Sequence, residues 1–150
     1  MENWVYGLTL IVATIIFHAA SSAFIALAQG KIWARFEGRG RKVRHAFRNW
    51  IVMTATVGLF LVILHGIEIG LWAIAYLWAG ALDSFSDAVF YSMDSMTTRG
   101  ASGLELQHGW RMMGALEGID GMLLFGISTA FIFAMMQTYW EKLMDSNASQ

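Results

Sequence analysis

Residues 84–103 read SFSDAVFYSMDSMTTRGASG, and the fold turns on how this stretch sits in the molecule. Ser84 followed by Asp87 is a capping-box pattern, and Phe85, Val89, Phe90, Met93 and Met96 recur at helical spacing, so the pattern predicts a helix over 84–96. A helix of that length spans only about 20 Å, too short for a hydrocarbon core of about 30 Å. Such a segment either re-enters the membrane or lies flat at its surface, and periodicity leaves both open, because each arrangement buries one apolar face. The residues that follow favour re-entry. A re-entering helix aims its carboxyl end at the membrane centre, where a partial charge of about −0.5 favours a cation. Thr97, Thr98 and the glycine-rich run to Gly103 come next. Non-helical backbone is tolerated at such depth where it lines a water-filled cavity.

The flanking sequence sets the class. Of 150 residues, 57% are apolar and 14% charged, a balance that points to a membrane protein. From Trp4 to Gly30 there is no charge apart from a possible one on His18, and the run exceeds the roughly 20 residues a spanning helix needs. Ala26-Leu27-Ala28 imitates a leader cleavage site, but Glu2 replaces a basic n-region and the apolar run is too long, so no cleavage is expected. A second run covers Trp50 to Leu82, interrupted by His65 and Glu68, and at about 50 Å of helix it must tilt or protrude. A third covers Met112 to Trp140, with Glu117 and Asp120 near its start. The expected organisation is an extra helix and basic loop over 1–48, a second unit over 49–140, and a short polar tail over 141–150.

Charge distribution orients the chain. Ten basic and eleven acidic residues nearly cancel, so net charge predicts no nucleic-acid partner. Lys31, Arg35, Arg39, Arg41, Lys42, Arg44 and Arg48 place seven of the ten basic residues in the first connection, which the positive-inside rule puts in the cytoplasm. The amino terminus is then outside and the carboxyl terminus inside, with Trp4, Tyr6, Trp72, Tyr76 and Trp78 near the outer interface and Trp33, Trp50, Tyr139 and Trp140 near the inner one. That loop also has the composition to meet anionic lipid heads. Asn147-Ala148-Ser149 matches a glycosylation sequon, but on the cytoplasmic side it carries no meaning. Cysteine and proline are both absent, so disulfides and thiolate sites are excluded and any helix bend must come from glycine.

FSDAVFYSMDSMTTRGASG, followed by WRMMGALEGIDGMLLFGISTAFIF, resembles the pore helix, filter and inner helix of the two-transmembrane pore domain of potassium channels, and small bacterial channel-like proteins in particular. The resemblance covers roughly Trp72 to Met136. It implies an all-α membrane protein with three transmembrane helices plus a re-entrant pore helix and filter loop, assembled as a homotetramer around one pore. The second span would be the outer helix, the third the inner helix, Thr98 the filter threonine and Gly121 the gating hinge. The family's filter reads threonine, valine, glycine, tyrosine, glycine, aspartate. Here Arg99 stands at the valine position, Gly100 keeps the first glycine, Ala101 replaces the tyrosine, Ser102 the second glycine and Gly103 the aspartate. Serine resists the dihedrals that glycine adopts, so altered or relaxed selectivity is expected. A register shifted by one, with Gly103 as second glycine, is the other alignment.

Arg99 is the most informative departure. A ring of four guanidinium groups would repel cations unless neutralised. Asp94, on the pore helix, is the expected partner behind the loop and leaves a neutral pore. The alternatives are an Arg99 that faces the axis and one that is simply solvated near the headgroups.

His18, His65 and Glu68 lie at mid-depth in their spans, and ionisable residues there are functional candidates. Hydrogen bonds between His18 and His65, or between His65 and Glu68, would satisfy them without a cofactor. Two facing histidines are also a haem-ligand pattern. A metal reading of His65 and Glu68 with Glu117 and Asp120 reverses the usual order of a di-iron carboxylate motif, so no metal is expected. Glu117 and Asp120, about 10 Å below Trp110 at helical rise, are expected to pair with Arg111 or Arg99 and support the filter, because unpaired carboxylates so deep tend to protonate; the alternative is a negative outer vestibule. Gly114 and Gly118 form a small-xxx-small pair that admits another helix closely, and Gly121 and Gly126 could bend the run. Phe125, Ser128, Thr129 and Ile132 follow at turn spacing, a cavity lining or plain packing.

These features together predict a multi-pass inner-membrane ion channel passing monovalent cations, potassium among them, by way of Thr97, Thr98, Arg99, Gly100, Ala101, Ser102 and Gly103. No catalytic motif, small-molecule substrate or cofactor is expected, and the partners are membrane lipid and other copies of the chain. The alternatives are a non-conducting, pore-like accessory subunit and a haem-binding helical module using His18 and His65.

Overall fold

Every described residue that has regular structure is helical, as a chain forced to satisfy its own backbone in lipid requires. The computed structural model describes residues 2–37, 43–100, 103–107 and 109–148. Ala101 and Ser102 of the filter-like run lie outside the described residues, as do Arg39, Arg41 and Lys42 of the basic loop. The elements are α1 (Glu2–Glu37), α2 (Val43–Trp78), α3 (Phe85–Met96) and α4 (Arg111–Ala148).

Three of the four are long and apolar enough to cross a membrane: Trp4–Lys31, Phe47–Trp78 and Arg111–Glu141 supply 28, 32 and 31 residues. At 1.5 Å per residue each exceeds the hydrocarbon thickness of about 30 Å. Val12, Phe24, Leu59, Val62, Ile74 and Phe133 stay exposed on the outer surface, as lipid-facing residues do. The chain is a multi-pass membrane protein. The helices outrun the apolar segments at their polar ends, so the boundary expected at 48/49 falls inside α2 and that at 140/141 inside α4.

The pairs that touch fix the register. Gly7 meets Leu116, Thr14 meets Asp120, His18 meets Ser128 and Gln29 meets Tyr139, so α1 and α4 run parallel. Tyr76 meets Glu117, Trp72 meets Asp120 and His65 meets Ser128, so α2 runs antiparallel to α4. Trp72, Ala73, Tyr76, Ala88, Met96, Met113, Leu116 and Leu124 form the main buried cluster, and Val57, Leu61 and Leu64 form a second one against Phe131 and Ile132.

The short helix α3 sits between α2 and α4. Ser84 caps its start, with the Asp87 N–H donating to Ser84 Oγ at 3.4 Å, as the capping-box pattern predicts. Its far end rests on glycines of α4. A Cβ on Gly118 would lie 3.4 Å from the Ser95 carbonyl oxygen, one on Gly114 would strike the Tyr91 hydroxyl, and one on Gly121 would strike the Met96 backbone. The groove predicted from Gly114 and Gly118 therefore receives α3, and Gly121 extends it. Met96 thus meets α4 ten residues past Arg111, which is about 15 Å along that helix at α-helical rise.

Candidate functional site

The carboxyl end of α3 and the loop after it are closed by a Schellman motif. Thr98 N–H donates to Ser95 O at 2.9 Å and Arg99 N–H donates to Asp94 O at 3.0 Å, with Thr98 in the left-handed region at φ 54°. The Thr97 hydroxyl turns back to Met93 O at 2.7 Å. Beyond it, Gly100 and Gly103 also have positive φ, 61° and 69°. Thr97, Thr98, Arg99, Gly100 and Gly103 are all exposed on the single chain.

The same turn carries Arg99 back over α3. Its Nε donates to Asp94 Oδ1 at 2.9 Å, and its guanidinium lies 5.8 Å from the Phe90 ring centre. The expected Asp94–Arg99 pair is present. Asp94 is nearly fully buried, while the Arg99 side chain remains 60% exposed, so one end of the pair is dry and the other open.

Glu117 and Asp120 have other partners than expected. Arg99 is held by Asp94, and Arg111 by Glu105 at 2.7 Å, so the nearest cations are taken locally. Instead, the Tyr76 hydroxyl donates to Glu117 Oε2 at 2.6 Å and Ser92 Oγ meets Glu117 Oε1, while Ser92 Oγ also lies 3.0 Å from Ile69 O. The hydroxyl of Thr14 and the indole N–H of Trp72 both reach Asp120 Oδ2, at 2.7 and 2.9 Å. Trp72 and Tyr76, expected at the outer interface, are fully buried. An aromatic ring with a polar tip suits a membrane interface and a buried carboxylate equally well, and sequence does not separate the two. Through these bonds Glu117 ties α2, α3 and α4, and Asp120 ties α1, α2 and α4.

One to two turns deeper, His18, His65 and Glu68 come together with Ser128. His18 Nδ1 lies 2.8 Å from Glu68 Oε1. His65 Nδ1 lies 3.0 Å from Glu68 Oε2, an ion-pair distance, but the two atoms are not aligned for a hydrogen bond. On the other side Ser128 Oγ sits 3.0 Å from Nε2 of each imidazole. The ring centres are 5.2 Å apart, and Phe125 packs on His65 at 4.5 Å. A macrocycle between the two histidines would have to displace Ser128 and part the helices. Glu117 and Asp120 are not part of this group, so the four-residue metal reading does not correspond to one cluster.

The sequence did not mark Thr14 and Ser92 as members of the site, and it marked Ser128 only as a cavity-lining or packing residue. Hydroxyls on mostly apolar helices pass as packing, and only knowledge of which helix faces which carboxylate marks them out. Comparison of the chain with family models, with curated proteins and with solved structures finds no match.

Proposed function

We propose that the chain is a pore subunit of the potassium-channel type, which assembles as a homotetramer in the inner membrane, amino terminus outside, and passes monovalent cations with relaxed selectivity. One observation carries the reading: α3 ends against α4 ten residues past Arg111, beside a loop with left-handed backbone at Thr98, Gly100 and Gly103. A helix that stops at such depth with its carboxyl end beside irregular backbone supports a re-entrant pore helix, because lipid-exposed loops do not occur there and a water-lined cavity accommodates them. In the tetramer, Thr97 to Gly103 would meet their copies at the axis. The Asp94–Arg99 pair would neutralise the cation that replaces the family's valine, and Gly121 would be the point at which the inner helix bends.

The exposed part of Arg99 favours a second reading. Four guanidinium groups, each 60% exposed on the single chain, carry four positive charges to the rim of the proposed pore, and such a ring suits a closed or non-conducting accessory subunit. Cation flux into vesicles holding wild-type and Arg99→Val protein separates the two. On the first reading wild type conducts and the variant, which takes the guanidinium away from Asp94, changes flux and selectivity. On the second, wild type is silent and Arg99→Val opens it. Identical flux in both proteins contradicts any pore role for Arg99.

A further inference from the structure

We infer that His18, His65 and Glu68 bind one divalent transition-metal ion of the zinc class, buried between α1, α2 and α4. The inference rests on contacts among the three spans alone and holds whether or not the loop after α3 conducts. Each of the three residues contributes a donor atom, these atoms lie within 4.8 Å of one another, and all three residues are buried. Two imidazoles and one carboxylate form a donor set that zinc and neighbouring borderline metals take. Bonds of about 2.0–2.2 Å place tetrahedral donors roughly 3.3 Å apart, so the site closes by small side-chain shifts.

Glu68 faces Nδ1 of both histidines. A metal shared by the three residues therefore lies on the Nδ1 side of both rings and takes the place of hydrogen there. Each Nε2 then carries its hydrogen toward Ser128 Oγ, 3.0 Å away, and a hydroxyl oxygen has two lone pairs to accept both. His65 Nδ1 and Glu68 Oε2, 3.0 Å apart, make no hydrogen bond with each other, and a metal between them serves both.

A second buried acid lies beside the cluster. Thr14, four residues before His18, and Trp72, four after Glu68, both bond Asp120, whose buried Oδ1 has no hydrogen-bond partner. Asp120 therefore lies about one helical turn from the cluster. Among the described residues no lysine or arginine is buried. Buried acids with no lysine or arginine among them are compensated by a bound cation or by protonation.

The test uses the full chain, purified in detergent without chelator after growth with added zinc. Zinc content is read by elemental mass spectrometry, and stripped protein is titrated with Co2+ as a visible probe. The expected result is about one zinc per chain and a Co2+ d–d band that zinc removes, with both lost in His18→Ala and His65→Ala and affinity weakened about 10–100-fold or more in Glu68→Gln. If those variants fail to fold, zinc-edge X-ray absorption on wild type must still show two imidazole ligands. Folded wild-type protein without zinc and without a Co2+ band overturns the inference and leaves a shared proton in the cluster. Metal that stays in both histidine variants, or that shows no imidazole ligands, overturns it as well.

Discussion

Thr98 and Gly80 do the same job at the ends of two helices, one with the wrong side chain for it. In both places the residue after the helix takes positive φ, 54° at Thr98 and 64° at Gly80, and two backbone N–H groups close a Schellman motif. Left-handed backbone costs an L-residue about 1–2 kcal/mol, whereas glycine adopts it freely and loses about 0.4–1 kcal/mol to its wider unfolded ensemble. Thr98→Gly should therefore raise stability by up to about 1 kcal/mol, read as a higher unfolding midpoint in detergent; a lower midpoint would mean that the threonine makes contacts worth more than the strain. Tyr76 gives a second prediction at this scale. Its hydroxyl is the donor to Glu117 Oε2, so Tyr76→Phe should cost about 1 kcal/mol, with the exposed Tyr6→Phe unchanged. The sequence also marked the residues of greatest depth, His18, His65, Glu68, Glu117 and Asp120, because charge is rare among apolar neighbours. It grouped His18 with His65 and His65 with Glu68, which the structure brings together, but did not reveal the partners of Glu117 and Asp120. Arg99 and Arg111 look available in the sequence, but local acids, five and six residues earlier, hold them first.

At the scale of the helix, Gly121 and Gly126 look alike in sequence and differ in their neighbours. A Cβ at Gly121 would strike the Met96 backbone, while one at Gly126 would meet nothing within 4 Å. Gly121→Ala should force α3 away from α4 and cost about 1–3 kcal/mol. Gly126→Ala should be neutral or stabilising by up to about 1 kcal/mol through helix propensity. Equal midpoints for the two variants would contradict the packing described for α3. The same contact bears on the proposed hinge, since α4 is unbroken through residue 121 and a bend there has to move Met96 with it. The elements themselves were legible: lipid imposes a minimum apolar length on a span, and Ser84 marked the start of α3. The extensions of α1, α2 and α4 beyond their apolar runs were not legible, because charged residues form helix in water as readily as they form loop.

Across the whole molecule, three spans enclose three successive polar groups, at Glu117, at Asp120 and at His18, His65 and Glu68. In the channel resemblance α1 is an addition. Yet Thr14 and His18 complete two of the three groups, so the first helix is part of the bundle and removing it would leave Asp120 and Glu68 short of partners. The resemblance read from the sequence lies in the frame of the pore and inner helices, and the filter letters depart from it, which is why the proposed function separates conduction from selectivity. The most direct measurement is the reversal potential of purified protein in a planar bilayer under a potassium chloride gradient, followed by replacement of potassium with sodium on one side. A relaxed cation pathway predicts reversal near the potassium potential, with only a small shift on sodium exchange. Reversal toward the chloride potential would put Arg99 on the axis, and persistent silence in well-inserted protein would contradict conduction altogether.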